Sequence, residues 1–257
     1  MNICLIGAGR VGRPLAAALE NLSHTVEVMG RNDIGRELHK DLSKYELVFL
    51  TVPDQQIKKI SQQIEYRPTM GVVHCSGQLA NEQLGEAVAM FHPMMSFSGE
   101  ETAAIFNSCP IGISGPAALC EQLEEIANGM AAKPFQLDEE SKATYHMAGL
   151  FASVFPYVLL LVAREQAAAA GIPRGAVQDI LGPIFLRTVE HLSSADPKQG
   201  ITGPVSRGDT STVREHLALL EERPLEQELY RQLSKMAVKY SGIDQTTKDL
   251  MLNVLEQ

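Results

Sequence analysis

Apolar positions in the first half of the chain fall into short unbroken runs. They are Ile3 to Ile6, Thr25 to Met29, Leu47 to Thr51, Gly71 to Cys75, Ala87 to Phe91 and Ile111 to Ile113. Segments of helical pattern, such as Leu15-Ala-Ala-Ala-Leu19, lie between them. This strand–helix alternation predicts an α/β fold with a mainly parallel, doubly wound sheet. After Asp138 the strand pattern stops. Helices are expected over Asp138 to Ala170, Arg174 to Leu192, Thr212 to Leu220 and Pro224 to Tyr240, punctuated by Gly171-Ile-Pro173 and by residues 193–209. The pattern therefore divides the chain into a sheet domain, residues 1–137, and an all-helical domain, residues 138–257. One run, Met147 to Ala163, has seventeen residues without a charge, interrupted by Pro156. A membrane span needs about 20 such residues, so a buried core helix or a dimer-interface helix is expected rather than a span.

The junction of the first strand and the first helix carries the most specific chemistry. Gly7-Ala-Gly9-Arg-Val-Gly12 follows the strand directly and opens the helix. In that context the first glycine permits a tight turn, the second lets backbone approach a pyrophosphate, and the third lets helix and strand pack closely. The helix start also offers unpaired N–H groups and a positive dipole end to phosphate. Gly7 to Gly12 are thus candidate dinucleotide-binding residues, Ala8, Arg10 and Val11 among them. The second strand ends in Gly30-Arg31-Asn32. Where NAD-type sites carry an acid about 20 residues downstream, this chain has Arg31, which suits a ribose 2′-phosphate, with Asn32 able to add a hydrogen bond. NADP(H) is therefore expected in preference to NAD(H), with Asp33 close enough to leave the alternative open. Val52-Pro53 at the end of the third strand and Ser76 after the fourth would present backbone and hydroxyl to the same cofactor.

Composition narrows the partners. The 257 residues are 45% hydrophobic, enough for one large or two modest cores. A net charge of −9 argues against nucleic acid or an anionic membrane surface. Cys4, Cys75, Cys109 and Cys120 show no CxxC spacing, which predicts buried thiols in a reducing cytoplasm and no metal site. The chain starts on a core strand, so no signal peptide is expected ahead of it.

Two further groups are candidate reacting or substrate-binding residues. His74-Cys-Ser76-Gly77 and Phe91-His92-Pro93 close adjacent strands and would place polar groups beneath a nicotinamide. At the start of the helical half, Asp138 is a candidate helix cap. Lys142 and His146 follow at i,i+4 on one helix face, with Ser153 seven residues further. A lysine can protonate a developing alkoxide and a histidine can orient substrate or relay a proton; a solvated lysine on a first helical turn is the ordinary alternative. Gly203-Pro-Val-Ser206-Arg207-Gly-Asp209-Thr210 is either a connector whose Asp209 caps the next helix or a clamp. In the second case Ser206, Arg207 and Thr210 would hold a carboxylate, in this chain's own site or a neighbouring subunit's.

The glycine motif, the Val52-Pro53 strand end and the helical second half resemble the superfamily of 6-phosphogluconate, 3-hydroxyisobutyrate and ketopantoate dehydrogenases and reductases. In those families a Lys-x-x-x-Asn pair opens the helical half, with lysine as general acid or base; Lys142 to His146 matches that spacing with histidine in the asparagine position. Phe91-His-Pro-Met94 is similar to the His-Pro element of prephenate dehydrogenases. More closely, His74 to Gly77 with His92-Pro93, Tyr145-His146 with Ser153, and Thr202 to Asp209 resemble the two-domain Rossmann-like proteins whose second half is the DUF2520 domain. The resemblance implies an N-terminal Rossmann domain followed by a 6-phosphogluconate-dehydrogenase-C-terminal-like helical domain that forms a homodimer. It implies an NADP(H)-dependent oxidoreductase in which Lys142 donates the proton, His92 and His146 position the reacting atom, and Arg207 anchors a carboxylate. A ketopantoate-like 2-oxo acid leads the expected substrates, followed by imino acids and prephenate-like hydroxy acids. The competing expectation is a non-catalytic NADP(H)-binding sensor or scaffold.

Overall fold

The computed structural model describes residues 1–30, 42–65, 69–85, 87–192 and 200–257. They form two compact units, Met1–Pro156 and Tyr157–Gln257. The first is built on a seven-stranded sheet. Its strands are β1 (Asn2–Ile6), β2 (Thr25–Met29), β3 (Leu47–Leu50), β4 (Gly71–His74), β5 (Val88–Pro93), β6 (Pro110–Ser114) and β7 (Lys133–Gln136), in the spatial order β2-β1-β3-β4-β5-β6-β7. The expected doubly wound α/β sheet is present, with one departure: β6 runs antiparallel to β5, and β7 runs parallel to β6. β7 carries the sequence Lys-Pro-Phe-Gln at the sheet edge, half exposed and without an apolar run, so the pattern gave no sign of it.

The central strands β1, β3, β4 and β5 are mostly apolar because both faces are covered. On one face Ile3, Leu5, Phe49, Val73 and Phe91 pack with Leu15 and Leu19 of α1 (Gly12–Asn21) and Leu123 and Ile126 of the helix Ala117–Gly129. On the other, Cys4, Ile6, Val48, Leu50 and Val72 pack with Ile57 and Ile60 of α2 (Asp54–Ser61). We label Ala117–Gly129 α3. Strand alternation places His74, Met90, His92 and Ser114 on this second face, since His74 pairs with Met90 and Met90 with Ser114. The four cysteines are free thiols, and burial pushes Cys4 and Cys75 up to about 12.

The long helix expected from Asp138 is two helices, α4 (Lys142–Ala152) and α5 (Val154–Ala169). Ser153 interrupts them at φ −127°, ψ −71°, its hydroxyl bonded to the Gly149 carbonyl at 2.6 Å. Pro156 contributes, because it lacks an N–H and its ring excludes the carbonyl four residues back. Nor is the apolar run buried. Phe151, Val154, Phe155, Tyr157, Val158 and Leu161 are exposed, which removes the core-helix reading and leaves a face open to a partner. Glu139–Ala169 is long and apolar enough to cross a membrane by length and composition.

The second unit continues with α6 (Val177–Leu192), α7 (Thr210–Leu219), α8 (Pro224–Tyr240) and α9 (Gln245–Glu256). No strand is found here among the described residues. Val213, Leu217, Val238, Met251 and Val254 form its core. α9 lies outside the sequence expectation, although Asp244 caps it through the Thr247 amide.

Candidate active site

The glycine turn has the shape a dinucleotide requires. Gly7 sits at φ +119°, and a Cβ there would lie 2.8–2.9 Å from the backbone of Thr51 and Val52. A Cβ on Gly12 would approach the Gly7 carbonyl to 1.9 Å. These two positions need glycine for the protein's own packing. Gly9 does not, for its Cβ would meet nothing nearer than Thr51 O at 3.9 Å, so the space over it is open. The Thr51 hydroxyl donates to Gly7 O at 2.6 Å and holds the turn against the end of β3. Val11 occupies the α1 cap and the first turn holds no acid, so no side chain caps the helix N–H groups. An open glycine and an uncapped helix start fit a pyrophosphate. Arg10 is exposed beside Gly99, which brings the loop after β5 next to the turn, while Arg13 is tied to Ala8 O. Val52 is buried and Pro53 leads into α2. Arg31 and Asn32 lie outside the described residues.

Ser76 is not available to a cofactor as expected. Its hydroxyl donates to Asp54 Oδ2 at 2.6 Å and accepts from the Gln78 and Leu79 amides, and the residue is buried. It shapes the turn after β4 instead.

β6 and β7 run back from the edge at which β4 and β5 end, so the chain leaves β7 at the opposite edge. α4 then climbs the sheet face. Lys142 lies level with Ser114, Tyr145 with Gly112, and Gly149 with Met94. This climb carries Tyr145 and His146 to His92. Tyr145 Oη lies 2.8 Å from His92 Nδ1, and the His92 and His146 rings are 6.5 Å apart. With Met94, Met95, Ser96 and Ser153, the two histidines line a cavity of about 480 Å³. The structure therefore brings His92, His146 and Ser153 together.

The protonation of this pair follows from its surroundings. Burial pushes the Tyr145 phenol up to about 12, so it keeps its proton. Burial, with His146 nearby, pulls His92 down to about 4, so the ring is neutral at pH 7. The His92 contact is the hydrogen bond of the Tyr145 hydroxyl among the described residues, and the tautomer of the ring sets its direction. Gly77 leaves room for that ring, because a Cβ there would lie 2.9 Å from His92 Nε2. With the phenol protonated and the ring neutral, the pair does not change charge near neutral pH.

His74 and Lys142 belong elsewhere. Asn81 donates its amide hydrogens to Ser114 O and Oγ, so its Oδ1 is an acceptor. That oxygen receives Lys142 Nζ and His74 Nε2, both at 2.8 Å. Lys142 Nζ also reaches Leu79 O at 3.1 Å and Glu139 Oε1 at 2.8 Å. Glu139 in turn accepts from Ser114 Oγ and the Asn81 amide. Burial lowers the Lys142 pKa, and Glu139 pushes back. Burial opposes ionisation of Glu139, but Lys142 and the Asn81 N–H outweigh it and hold the carboxyl below its ordinary value. The ammonium directs its three N–H bonds at three protein acceptors and is 1% exposed. Lys142 does not line the His92 cavity. His74 is likewise no floor for a nicotinamide; it is fully buried, with Nδ1 lacking a partner among the described residues. Asp138 makes no side-chain cap bond.

Ser206, Arg207 and Thr210 lie in the second unit. Ser206 Oγ bonds Gly203 O, Arg207 is exposed, and Thr210 begins α7, capped by Asp209 through the Thr212 amide at 3.1 Å. The connector reading is realised for Asp209. Tyr145, Asn81, Glu139 and Gly77 escaped assignment from sequence; only the Tyr145-His146 adjacency hinted at the first of them.

A search of curated proteins returned no match. Among solved structures, a candidate NADP oxidoreductase from Bacteroides fragilis is similar at TM-score 0.76, with 23% identity over 92% of this chain and 97% of that one. A protein from Thermotoga maritima follows at TM-score 0.72 and 22% identity, over 93% and 98%. The 1-pyrroline-5-carboxylate reductase of Streptococcus pyogenes matches at TM-score 0.62 and 16% identity, over 98% of each chain. These likenesses establish a shared Rossmann-type fold with a helical C-terminal part. The profile of the family described as Domain of unknown function (DUF2520) matches residues 109–237, half of the chain, and the chain belongs to that family.

Proposed function

We propose that this protein is an NADP(H)-dependent oxidoreductase acting on a small carboxylate-bearing carbonyl, imino or hydroxy acid. The observation that carries the reading is the Tyr145–His92 hydrogen bond at a cavity that His92 lines, whose rim loop runs beside an open glycine turn. Gly7 to Gly12 and the start of α1 would hold the pyrophosphate, and the preference for NADP(H) rests on Arg31. When bound, the nicotinamide supplies or takes up the hydride. His92 holds a proton on Nε2 toward the substrate oxygen or nitrogen and stabilises charge developing there. Tyr145 keeps the ring in that tautomer. His146 and Ser153 orient the substrate, and the methionines keep water from one side of it. Names of fold neighbours that include an NADP oxidoreductase and a pyrroline-carboxylate reductase are in keeping with this reading. A 2-oxo acid of ketopantoate type remains the first substrate class to test, and a cytoplasmic homodimer formed through the exposed faces of α5 and α6 the assembly.

Titration with NADPH and NADH, followed by nicotinamide fluorescence and thermal shift, tests the first half. Cofactor at 100 times its Kd stabilises by about 2.7 kcal/mol. A panel of 2-oxo, imino and hydroxy acids tests the second. Tight NADPH binding with turnover of one class and loss of that turnover in His92→Phe is expected. Binding without turnover across the panel would favour a sensor or scaffold, and no binding of either nucleotide would end the reading.

A further inference from the structure

We propose that Lys142 is a positioning residue. With Glu139 and Asn81 it locks the first turn of α4 to the β4–β5 connection and to β6, and so holds Tyr145 where its hydroxyl fixes His92 with Nε2–H free for substrate. The inference rests on the reading of the His92 cavity as the substrate site.

α4 carries Tyr145, His146 and Gly149 to that cavity, yet it buries one residue, and that residue is Lys142. No apolar side chain of the helix is buried among the described residues, so its height on the sheet is set by the lysine. The anchoring is three-sided. Leu79 O and Asn81 Oδ1 come from the connection after β4, and Glu139 Oε1 comes from the turn before the helix. Glu139 extends the tie to β6 through Ser114 Oγ. One turn further, Tyr145 meets His92 Nδ1 and lies over Gly112 of β6, where a Cβ would stand 3.1 Å from its hydroxyl. Its ring sits edge-on to Phe135 at 5.8 Å. A shift of the first turn therefore moves the Tyr145 hydroxyl off Nδ1, and the His92 proton is then free to occupy either nitrogen. A proton-donor role would require Lys142 to withdraw from the charge-assisted bond to Glu139 that holds the first turn.

The test uses the full chain with ring-¹⁵N histidine, read by NMR, with His92→Asn to assign the signal. The native protein should show His92 in a single tautomer protonated at Nε2. Lys142→Met should give a mixed tautomer and, where turnover has been found, a fall of about 100-fold from the displaced site. Lys142→Met/Glu139→Gln removes both charges together but still leaves Leu79 O and Asn81 Oδ1 without the lysine, so it should keep the mixed tautomer. Tyr145→Phe, which leaves the anchor intact, should give the mixed tautomer alone. The proposal falls if Lys142→Met or Tyr145→Phe leaves the His92 signal unchanged. It falls equally if the double variant has the native His92 signal, for the lysine anchor would then not set the ring. Should Lys142→Met not fold, the double variant decides by the same signal. If the native protein turns over no substrate, the proposed function fails while the tautomer result still stands or falls separately.

Discussion

A single Cβ atom separates folding from binding at the glycine turn. Gly12→Ala drives a methyl into the Gly7 carbonyl, and overpacking of this kind costs about 1–3 kcal/mol; a lowered urea midpoint should record it. Gly9→Ala fills open space, so the melting temperature should hold while NADPH affinity falls at least tenfold by titration. His74 makes a second residue-scale prediction. Burial lowers its pKa to about 4, against 6.5 for the exposed ring. Between those values the unfolded chain binds the extra proton, so stability rises with pH there and is lost as pH falls from 6.5 toward 4. The gap is worth about 3 kcal/mol. His74→Gln, which keeps an N–H for Asn81 and cannot titrate, should flatten the dependence of melting temperature on pH in that window. The glycines were legible in the sequence because their roles are local. The fate of Lys142 was not, because its burial depends on acceptors at Leu79 and Asn81, more than sixty positions earlier.

Elements carried their signals unevenly. β1, the turn and α1 could be read directly, since an apolar run, spaced glycines and a helical pattern follow one another without interruption. β6 could be read as a strand, but its direction could not, for residue pattern is the same in either sense. β7 lacked the apolar run that marked its neighbours, whereas α9 carries a legible i, i+3, i+4 face in Met251, Val254 and Leu255 although it falls outside the expected helices. The caps show how side chains of one type part company. Asp209 bonds the Thr212 amide and hydroxyl at the start of α7, and Asp138 bonds no amide of its helix. Asp209→Ala should therefore lower stability by about 1 kcal/mol, whereas Asp138→Ala should leave the chemical unfolding curve in place. A loss of equal size in both would mean that Asp138 does cap its helix in solution.

At the scale of the molecule, exposed apolar side chains concentrate on consecutive helices: Phe151, Phe155 and Tyr157 on α4 and α5, Ile180, Ile184 and Leu186 on α6. A face of that kind, on a chain carrying a net charge of −9, is expected to be covered in solution. Light scattering should give twice the mass of the chain without detergent, and Ile184→Glu should halve it; a monomeric native protein would leave the homodimer without support. The composition and the sheet-then-helix order were legible at this scale, but the extent of the first unit was not, because pattern marks where strands stop and says nothing of what they pack against. That extent has a consequence for biosynthesis. The chain emerges from the ribosome with all seven strands complete by Gln136, while the groups that pair with Asn81 and Ser114 on the sheet face arrive with Glu139 and Lys142. A nascent sheet halted at residue 137 therefore waits with the Asn81 backbone amide and the Ser114 hydroxyl proton uncompensated, and α4 closes the structure as it assembles the site.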